Sequence, residues 1–395
     1  MIWLIVNILG ATLTAFYVGY FLLMKRKSQE ERFNPKSIDE KKILYSPSTS
    51  ILIPTYNEEK TILHKLNNLA KQTFSFSEII VIDGASTDST VKLVEEFSRS
   101  SELNLKVIRE KERAGKATSL NKGFKHCNGE IVVISDSDAV WENDALGKAI
   151  YNFKDENVGA VTGRQILLNK DQNLATKVES SYRNMYEIIR VGESVLDSTP
   201  IFHGEISCFR RKLISEIDKS SMADDSELAI LVRKKGYRTI YDPSVIFYEY
   251  APPSFKSRLI QKMRRGQGLI KLLLRERGIL FNPKYGTFGK VIFPAEFFMH
   301  VISPLLLIAF LISFIYGISL VDSLTLTNPI FFLGCFFLVA SLIKFGLGRY
   351  ILSFLSSQFT LLVSIGYLLT GKSQHKWPKI DEIRQLWDQS EQKMI

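Results

Sequence analysis

The residues best placed to do chemistry are the two aspartates that end Glu130-Ile-Val-Val-Ile-Ser-Asp136-Ser-Asp138. Four apolar, mostly β-branched residues run straight into the pair, the pattern of a strand buried on both faces of a sheet. Polar groups at the carboxyl end of such a strand lie on the rim where open α/β sheets take ligands. On an extended backbone residues i and i+2 share a face, so Asp136 and Asp138 can address one ligand. Two hard oxygen anions suit Mg²⁺ or Mn²⁺, with the phosphates of a substrate completing the shell. Asp-x-Asp is also an ordinary polar strand end, because Asp and Ser favour turns.

The elements that would position this pair alternate along the chain. Short apolar runs at 50–54, 78–83 and 103–108 read as strands ahead of the one at 130–135. Helical spacing falls between them at 58–71, 89–97 and 115–124, with Asp88 placed to cap the second helix. The alternation predicts an α/β domain with a mostly parallel sheet covered by helices on both faces. No Gly-x-Gly-x-x-Gly follows the first strand, which argues against a dinucleotide fold. Gly115-Lys116 resembles the end of a P-loop, but Glu110 and Ala117 stand where Gly and Ser/Thr belong.

Hydrophobicity is concentrated at the two ends of the 395 residues. Residues 1–24 carry no charge and lead directly into Lys25-Arg26-Lys27, long enough to span a bilayer. Basic residues after the apolar run oppose a cleaved signal and place the following chain in the cytoplasm. Apolar stretches at 293–321, 326–343 and 350–370 read as further spans, with Ser356-Ser357-Gln358 weakening the last. Three crossings would leave the C-terminus outside, whereas Lys372, Lys376 and Lys379 favour the inside. The net charge is +10, and residues 251–290 hold ten Lys/Arg against one acid, Glu276. A basic block leading into an apolar region points to a membrane surface before nucleic acid. Phe255, Leu259, Met263, Ile270 and Leu274 line one side of it, as in a helix lying in the membrane interface or packed on a domain. Three cysteines and five histidines without ligand spacing predict neither disulfides nor zinc.

Further motifs accompany the aspartates in a fixed order. They are Pro54-Thr-Tyr-Asn-Glu58, Asp83-Gly-Ala-Ser-Thr-Asp88, Arg113-Ala-Gly-Lys116 through Asn121, Gly204 with Arg210-Arg211, and Ala223-Asp224-Asp225-Ser-Glu227. From roughly Ser50 to Arg265 the set resembles the family 2 glycosyltransferases, inverting enzymes with a GT-A nucleotide-sugar fold. Downstream, Gln261-Lys-Met-Arg264-Arg265 is similar to the Gln-x-x-Arg-Trp motif of membrane-bound polysaccharide synthases and glycosylceramide-forming enzymes, with Arg265 in place of Trp. The lost aromatic could have stacked on an acceptor sugar, which puts chain elongation in question.

The resemblance implies roles for these positions. Pro54, Thr55, Tyr56, Glu58 and Asp83 would hold the donor's base and ribose, although Asp83 before Gly84 is also a turn former. Lys116, Asp136, Gln261, Arg264 and Arg265 would complete the donor site, with Asp138 as the surer metal ligand and Asp136 beside it. Asp225, seconded by Asp224, would be the general base; the same residues read as a capping box opening a helix over 226–235. Gly204 and Glu205 would form the acceptor side. The expected organisation is a transmembrane helix (1–24), a linker (25–48), a cytoplasmic GT-A domain (49–250), a basic interfacial segment (251–290), membrane segments (291–371) and a tail (372–395). The expected activity is transfer of a sugar from a nucleotide donor, a UDP-sugar first, to a lipid-linked or polysaccharide acceptor at the membrane, with no nucleic-acid partner. A transporter carrying a regulatory nucleotide-binding domain is the rival from another class.

Overall fold

The computed structural model describes residues 1–30, 45–320, 347–371 and 382–387. The expected span at 326–343 lies outside them. After helix α1 (Ile2–Ser28), strands β1 (Thr49–Thr55), β2 (Glu78–Asp83), β3 (Leu105–Arg109) and β4 (Ile131–Ile134) alternate with helices α2 (Ile62–Ala70), α3 (Thr90–Ser100) and α4 (Lys116–Phe124). Then come β5 (Val140–Trp141), α5 (Ala145–Tyr151), β6 (Val158–Leu167), α6 (Leu174–Leu196), β7 (Ser207–Arg210), α7 (Asp224–Lys234), β8 (Arg238–Glu249) and α8 (Phe255–Arg275). The eight strands form one sheet in the order β3-β2-β1-β4-β7-β6-β8-β5. β1 pairs in parallel with β2 and β4, β2 with β3, and β6 with β8, while β7 runs antiparallel to β4 and β6. This is the α/β, GT-A fold with a mostly parallel mixed sheet.

The apolar strands split their side chains between two cores, as a period of two requires. Ile51, Ile53, Ile79, Val81, Ile131 and Val133 face α2, α3 and α5, while Leu52, Ile80, Ile82, Val132 and Ile134 face α4 and α7. Each of these side chains is essentially fully buried and contributes about 1.5–3 kcal/mol relative to exposure. Parallel pairing brings the carboxyl ends of β1, β2 and β4 to a common edge. The expected helix at 58–71 starts only at Ile62, because Asn57 is left-handed (φ 56°) and the chain turns before entering α2.

Three helices are long and apolar enough to cross a membrane: α1, α9 (Phe288–Ser319) and α10, which is helical over Leu347–Leu369. The helix expected at 293–321 therefore begins a turn earlier, and it carries π-helical turns at Phe288–Ile292 and Phe298–Ile302. Contacts fix the directions of the three. Trp3 meets Gly317, Gly10 meets Phe310, and Phe16 stacks on Phe298, so α1 and α9 are antiparallel. Ser364 of α10 donates to the carbonyl of Met263 on α8 (3.0 Å), so the end of α10 returns to the sheet domain. Helical residues 382–387 then lie on that domain, with Trp387 against Tyr250 and His64. Gly192 of α6 lets the backbone of Met24 approach closely; a Cβ there would lie 2.3 Å from the Met24 carbonyl oxygen.

The basic segment differs from the simple interfacial helix expected. Phe255 (68% exposed) and Leu274 (38%) do face outward, but Ile270 is buried. Arg258, Arg264 and Gln267 of α8 are buried as well. α8 thus turns polar groups inward, towards a cavity.

Candidate active site

Two cavities meet at the carboxyl edge of the parallel strands. The first is lined by Pro54, Thr55, Tyr56 and Glu58 after β1, Gly84 after β2, Arg113 to Lys116 before α4, and Asp136 to Asp138 after β4. Gln261 of α8 and Ile383 with Arg384 of the C-terminal segment close it. The loops after β1 and β2 are knitted together: the Asn57 amide donates to the Ser86 hydroxyl (2.8 Å) and the Thr87 amide to the Asn57 side chain (2.8 Å). Ala85 is left-handed (φ 64°), a strained non-glycine conformation of the sort that clusters at binding loops. The Arg113 guanidinium stacks over the Tyr56 ring at 4.0 Å, leaving a flat platform at the mouth.

Acids crowd the floor of this pocket. Loss of water, then the nearby charges of Glu58, Asp136 and Glu205, push the Asp138 carboxyl up to about 7. Burial also raises Glu58, against the pull of Arg384, which forms an ion pair with it. Such a surplus of negative charge is what a divalent cation would neutralise. Among the described residues no group of three or more His, Cys, Asp or Glu forms a ready-made metal cage. Asp136 and Asp138 therefore fit an ion that brings the rest of its shell from water and phosphate, the manner of Mg²⁺ and Mn²⁺.

Lys116, the first residue of α4, lies between the two cavities. Its Nζ is 2.7 Å from Asp136 and 3.3 Å from Asp224. Burial opposes its charge, but Asp136 and then Asp224 more than offset this and hold the ammonium above the usual lysine range. The close approach depends on Gly204, whose Cβ would lie 2.8 Å from Lys116 Nζ and 3.2 Å from Asp136 Oδ2.

The second cavity shares Lys116 and Asp136 with the first. It adds Asp224 and Asp225, Gly204 and Glu205, Arg264 and Arg265, and the aromatic face of α6 with Tyr182 and Tyr186. Its far end reaches His300 on α9 and Ser357, Thr360 and Leu361 on α10. Burial, then the neighbouring Asp224, pushes the Asp225 carboxyl up to about 7, although its Oδ1 accepts from the Ser226 amide (2.6 Å). The cap of α7 is Ala223, not a side-chain box: the acids occupy the first turn, and Glu227 pairs with Arg275 at 2.8 Å. A carboxylate in a helix's first turn favours the positive end of the dipole.

Several expected residues fall elsewhere. Arg264 and Arg265 line the second cavity and not the donor pocket; Arg265 pairs with Glu205 at 3.3 Å, while burial and the adjacent Arg265 push Arg264 down to about 9. Asp83 is 2% exposed and lies behind the pocket wall, accepting from the Ser86 amide (3.0 Å) and the Ser86 hydroxyl. Arg210 is a buried strut on the carbonyls of Phe153 and Val158, and Arg211 holds that of Gly129. Arg384 was not foreseen, because only folding brings residue 384 to Glu58.

Comparison with known proteins adds the following. Residues 50–218 match the family model described as Glycosyl transferase family 2. The poly-beta-1,6-N-acetyl-D-glucosamine synthases of Staphylococcus aureus (strain COL) and Staphylococcus epidermidis are each 26% identical over 231 residues. That match covers 58% of this chain, and the chain spans 56% of each relative's length. The solved mannosyltransferase PcManGT from Pyrobaculum calidifontis, in complex with GDP-Man and Mn²⁺, superposes with a TM-score of 0.76 at 28% identity. That likeness covers 93% of this chain and 99% of the other, membrane helices included.

Proposed function

We propose, from the match of residues 50–218 to the glycosyl transferase family 2 model, that the chain is a membrane-integral, inverting, metal-dependent hexosyltransferase. It moves one sugar from a nucleotide donor to an acceptor presented at the bilayer. The observation that carries this reading is the junction at Lys116: donor acids Asp136 and Asp138 stand on one side and Asp224 with Asp225 on the other. The nucleotide base lies on the Tyr56–Arg113 platform, its diphosphate towards Asp136, Asp138 and Gln261. A bound Mg²⁺ or Mn²⁺, held by Asp138 with Asp136 beside it, supplies charge stabilisation to the departing diphosphate. Asp225 approaches from the acceptor cavity and takes the proton of the attacking hydroxyl, so attack comes from the face opposite the leaving group. Lys116 fixes Asp136 and Asp224 relative to each other and so keeps the two half-sites in register.

The whole-chain likeness to a mannosyltransferase solved with GDP-Man makes GDP-mannose the first donor to test, ahead of the UDP-sugars suggested by the motifs. The domain faces the cytoplasm, because Lys25-Arg26-Lys27 and basic α8 lie at the domain end of the membrane helices. A second reading, processive polysaccharide synthesis, is favoured by the synthases matched over 231 residues. Against it, the position that would carry an aromatic sugar platform holds Arg265, committed to Glu205. The test is release of GDP or UDP by the purified full chain in detergent with Mn²⁺, followed by product sizing. No nucleotide release from any GDP- or UDP-hexose refutes the transferase reading, and a polymer ladder selects the second one.

A further inference from the structure

The acceptor cavity contains a guanidinium that forms no direct ion pair among the described residues and leaves one buried donor unsatisfied. Most cations lining that cavity are tied to carboxylates: Lys116 to Asp136, Arg183 to Glu249 (3.1 Å), Lys262 to Glu179 (2.6 Å) and Arg265 to Glu205. Arg190 of α6 is different. Its Nη1 meets the ring nitrogen Nε2 of His203, and its guanidinium lies 6.0 Å from the centroid of the Tyr241 ring. Among the described residues no carboxylate comes within ion-pair distance of it. Of the two acids three residues away on the helix, Glu187 pairs with Arg164 at 3.0 Å and feels Arg190 only at longer range, while Glu193 accepts from Tyr20 and Thr199.

His203 supplies no negative charge, and it is no second cation either. Burial first, then the adjacent Arg190, hold its imidazole well below the ordinary histidine range, so it is neutral and accepts from the guanidinium. The Nε of Arg190 is buried with no hydrogen-bond partner at all. Arg190 as a whole is half-buried, but a buried donor left without a partner is costly to the fold. That deficit vanishes if an anion enters the cavity and accepts from the guanidinium. A planar guanidinium presents paired N–H donors that match two oxygens of a phosphate.

The cavity also indicates where such an anion would come from. Its lining includes Asp225 and Arg190 and, on the membrane helices, His300, Ser357 and Thr360, so a ligand filling it reaches from the reacting hydroxyl to the bilayer. In a lipid-linked acceptor of the polyprenyl type the group between sugar and lipid is a phosphate ester. We propose that Arg190, oriented by His203, forms an anion subsite that holds the phosphate of a lipid-phosphate acceptor. The proposal rests on the transferase reading only for the word acceptor; the site itself stands on the cavity and the unsatisfied guanidinium donor that lines it.

The experiment is a titration of the full chain in nanodiscs, without nucleotide, using farnesyl phosphate, farnesol and inorganic phosphate as probes. Farnesyl phosphate is expected to bind on the order of 10–100-fold more tightly than farnesol, the range of a charge-assisted hydrogen bond. In R190Q that preference should disappear, and R190K should keep part of it. GDP and UDP affinity measured with Mn²⁺ shows whether R190Q is folded. If the wild type does not distinguish farnesyl phosphate from farnesol, or if folded R190Q does, the subsite is refuted. Inorganic phosphate binding as tightly as farnesyl phosphate overturns the assignment to a lipid. Should no nucleotide bind to the wild type while the phosphate preference holds, the transferase reading fails and the subsite survives.

Discussion

Replacing Asp225 with Asn tests the base assignment through pH. Holding this carboxyl near 7 instead of its ordinary 3.8 means that the folded chain favours the neutral form by about 4 kcal/mol. At pH 7 about half the molecules then carry the ionised base, and each unit below that removes about nine-tenths of the remainder. The expected transfer rate at saturating donor and acceptor therefore falls about tenfold per pH unit below 7. Asn keeps the shape but cannot take a proton, so turnover drops by about 10²–10⁴ and the acid limb disappears. Asp225 lines the acceptor cavity and not the nucleotide pocket, so GDP or UDP affinity stays within about twofold, ~0.4 kcal/mol. Stability supplies an independent sign. A carboxyl raised on folding contributes stability when protonated, below 3.8, and loses it as pH rises through 7. The Asn variant lacks that loss and melts higher than wild type at pH 8, where both are compared by scanning fluorimetry. Asp138 also lies near 7, but its limb belongs to donor binding and moves with metal concentration. A wild-type turnover flat between pH 5.5 and 8.5, or an Asp225→Asn variant that retains the limb, would refute the assignment. Asp224 and Glu205 would then be the next bases to test.

Four further outcomes are expected. Asp138→Asn lowers turnover at least about 10²-fold, and EDTA does the same to wild type; activity surviving both excludes a metal role there. Arg384→Ala strips Glu58 of its partner and weakens nucleotide binding about tenfold by calorimetry; tighter binding would make the C-terminal segment a competitor of the donor. Gly204→Ala forces Lys116 and Asp136 apart, costing about tenfold in kcat/KM (~1.4 kcal/mol) with an unchanged melting temperature, whereas a fall in both would show a structural glycine. A cysteine at Thr87, with Cys335 replaced, is labelled by an impermeant thiol reagent only after lysis, since the other two cysteines are buried; labelling of intact cells would place the domain outside.

The first half of the sheet was legible because its strands obey one rule. β1, β2 and β4 are unbroken apolar runs whose alternate residues fill two cores, and their polar ends converge by parallel pairing alone. The second half was not. β6 contains Gly163-Arg164-Gln165 and β8 contains Asp242-Pro243-Ser244, and the pair slips register between Gly163 and Arg164. A proline and a bulge within paired strands erase the period that sequence reading relies on. Within the site, Lys116, Asp136, Asp138 and Asp225 were found because motif spacing marks them. Arg190, His203 and Arg384 carry no such mark, since their meaning comes from partners far away in sequence.

The membrane helices show the same limit from the other direction. Ser356-Ser357-Gln358 weakened α10 as a span, because hydropathy averages a helix over all its faces. In the fold Gln358 accepts from Ser303 (3.0 Å) and donates to the hydroxyl of Tyr17 (2.9 Å), tying the three long helices together. Ser357 and Thr360 face the acceptor cavity, and Ser364 reaches α8. A polar group facing lipid would argue against a span, but one facing a protein interior does not. With Ser364 bound to α8 and Trp387 packed on Tyr250, the end of α10 and the segment after it lie on the side of the catalytic domain. α9 leaves that side and α10 returns to it, so Arg384 can reach the donor pocket at all.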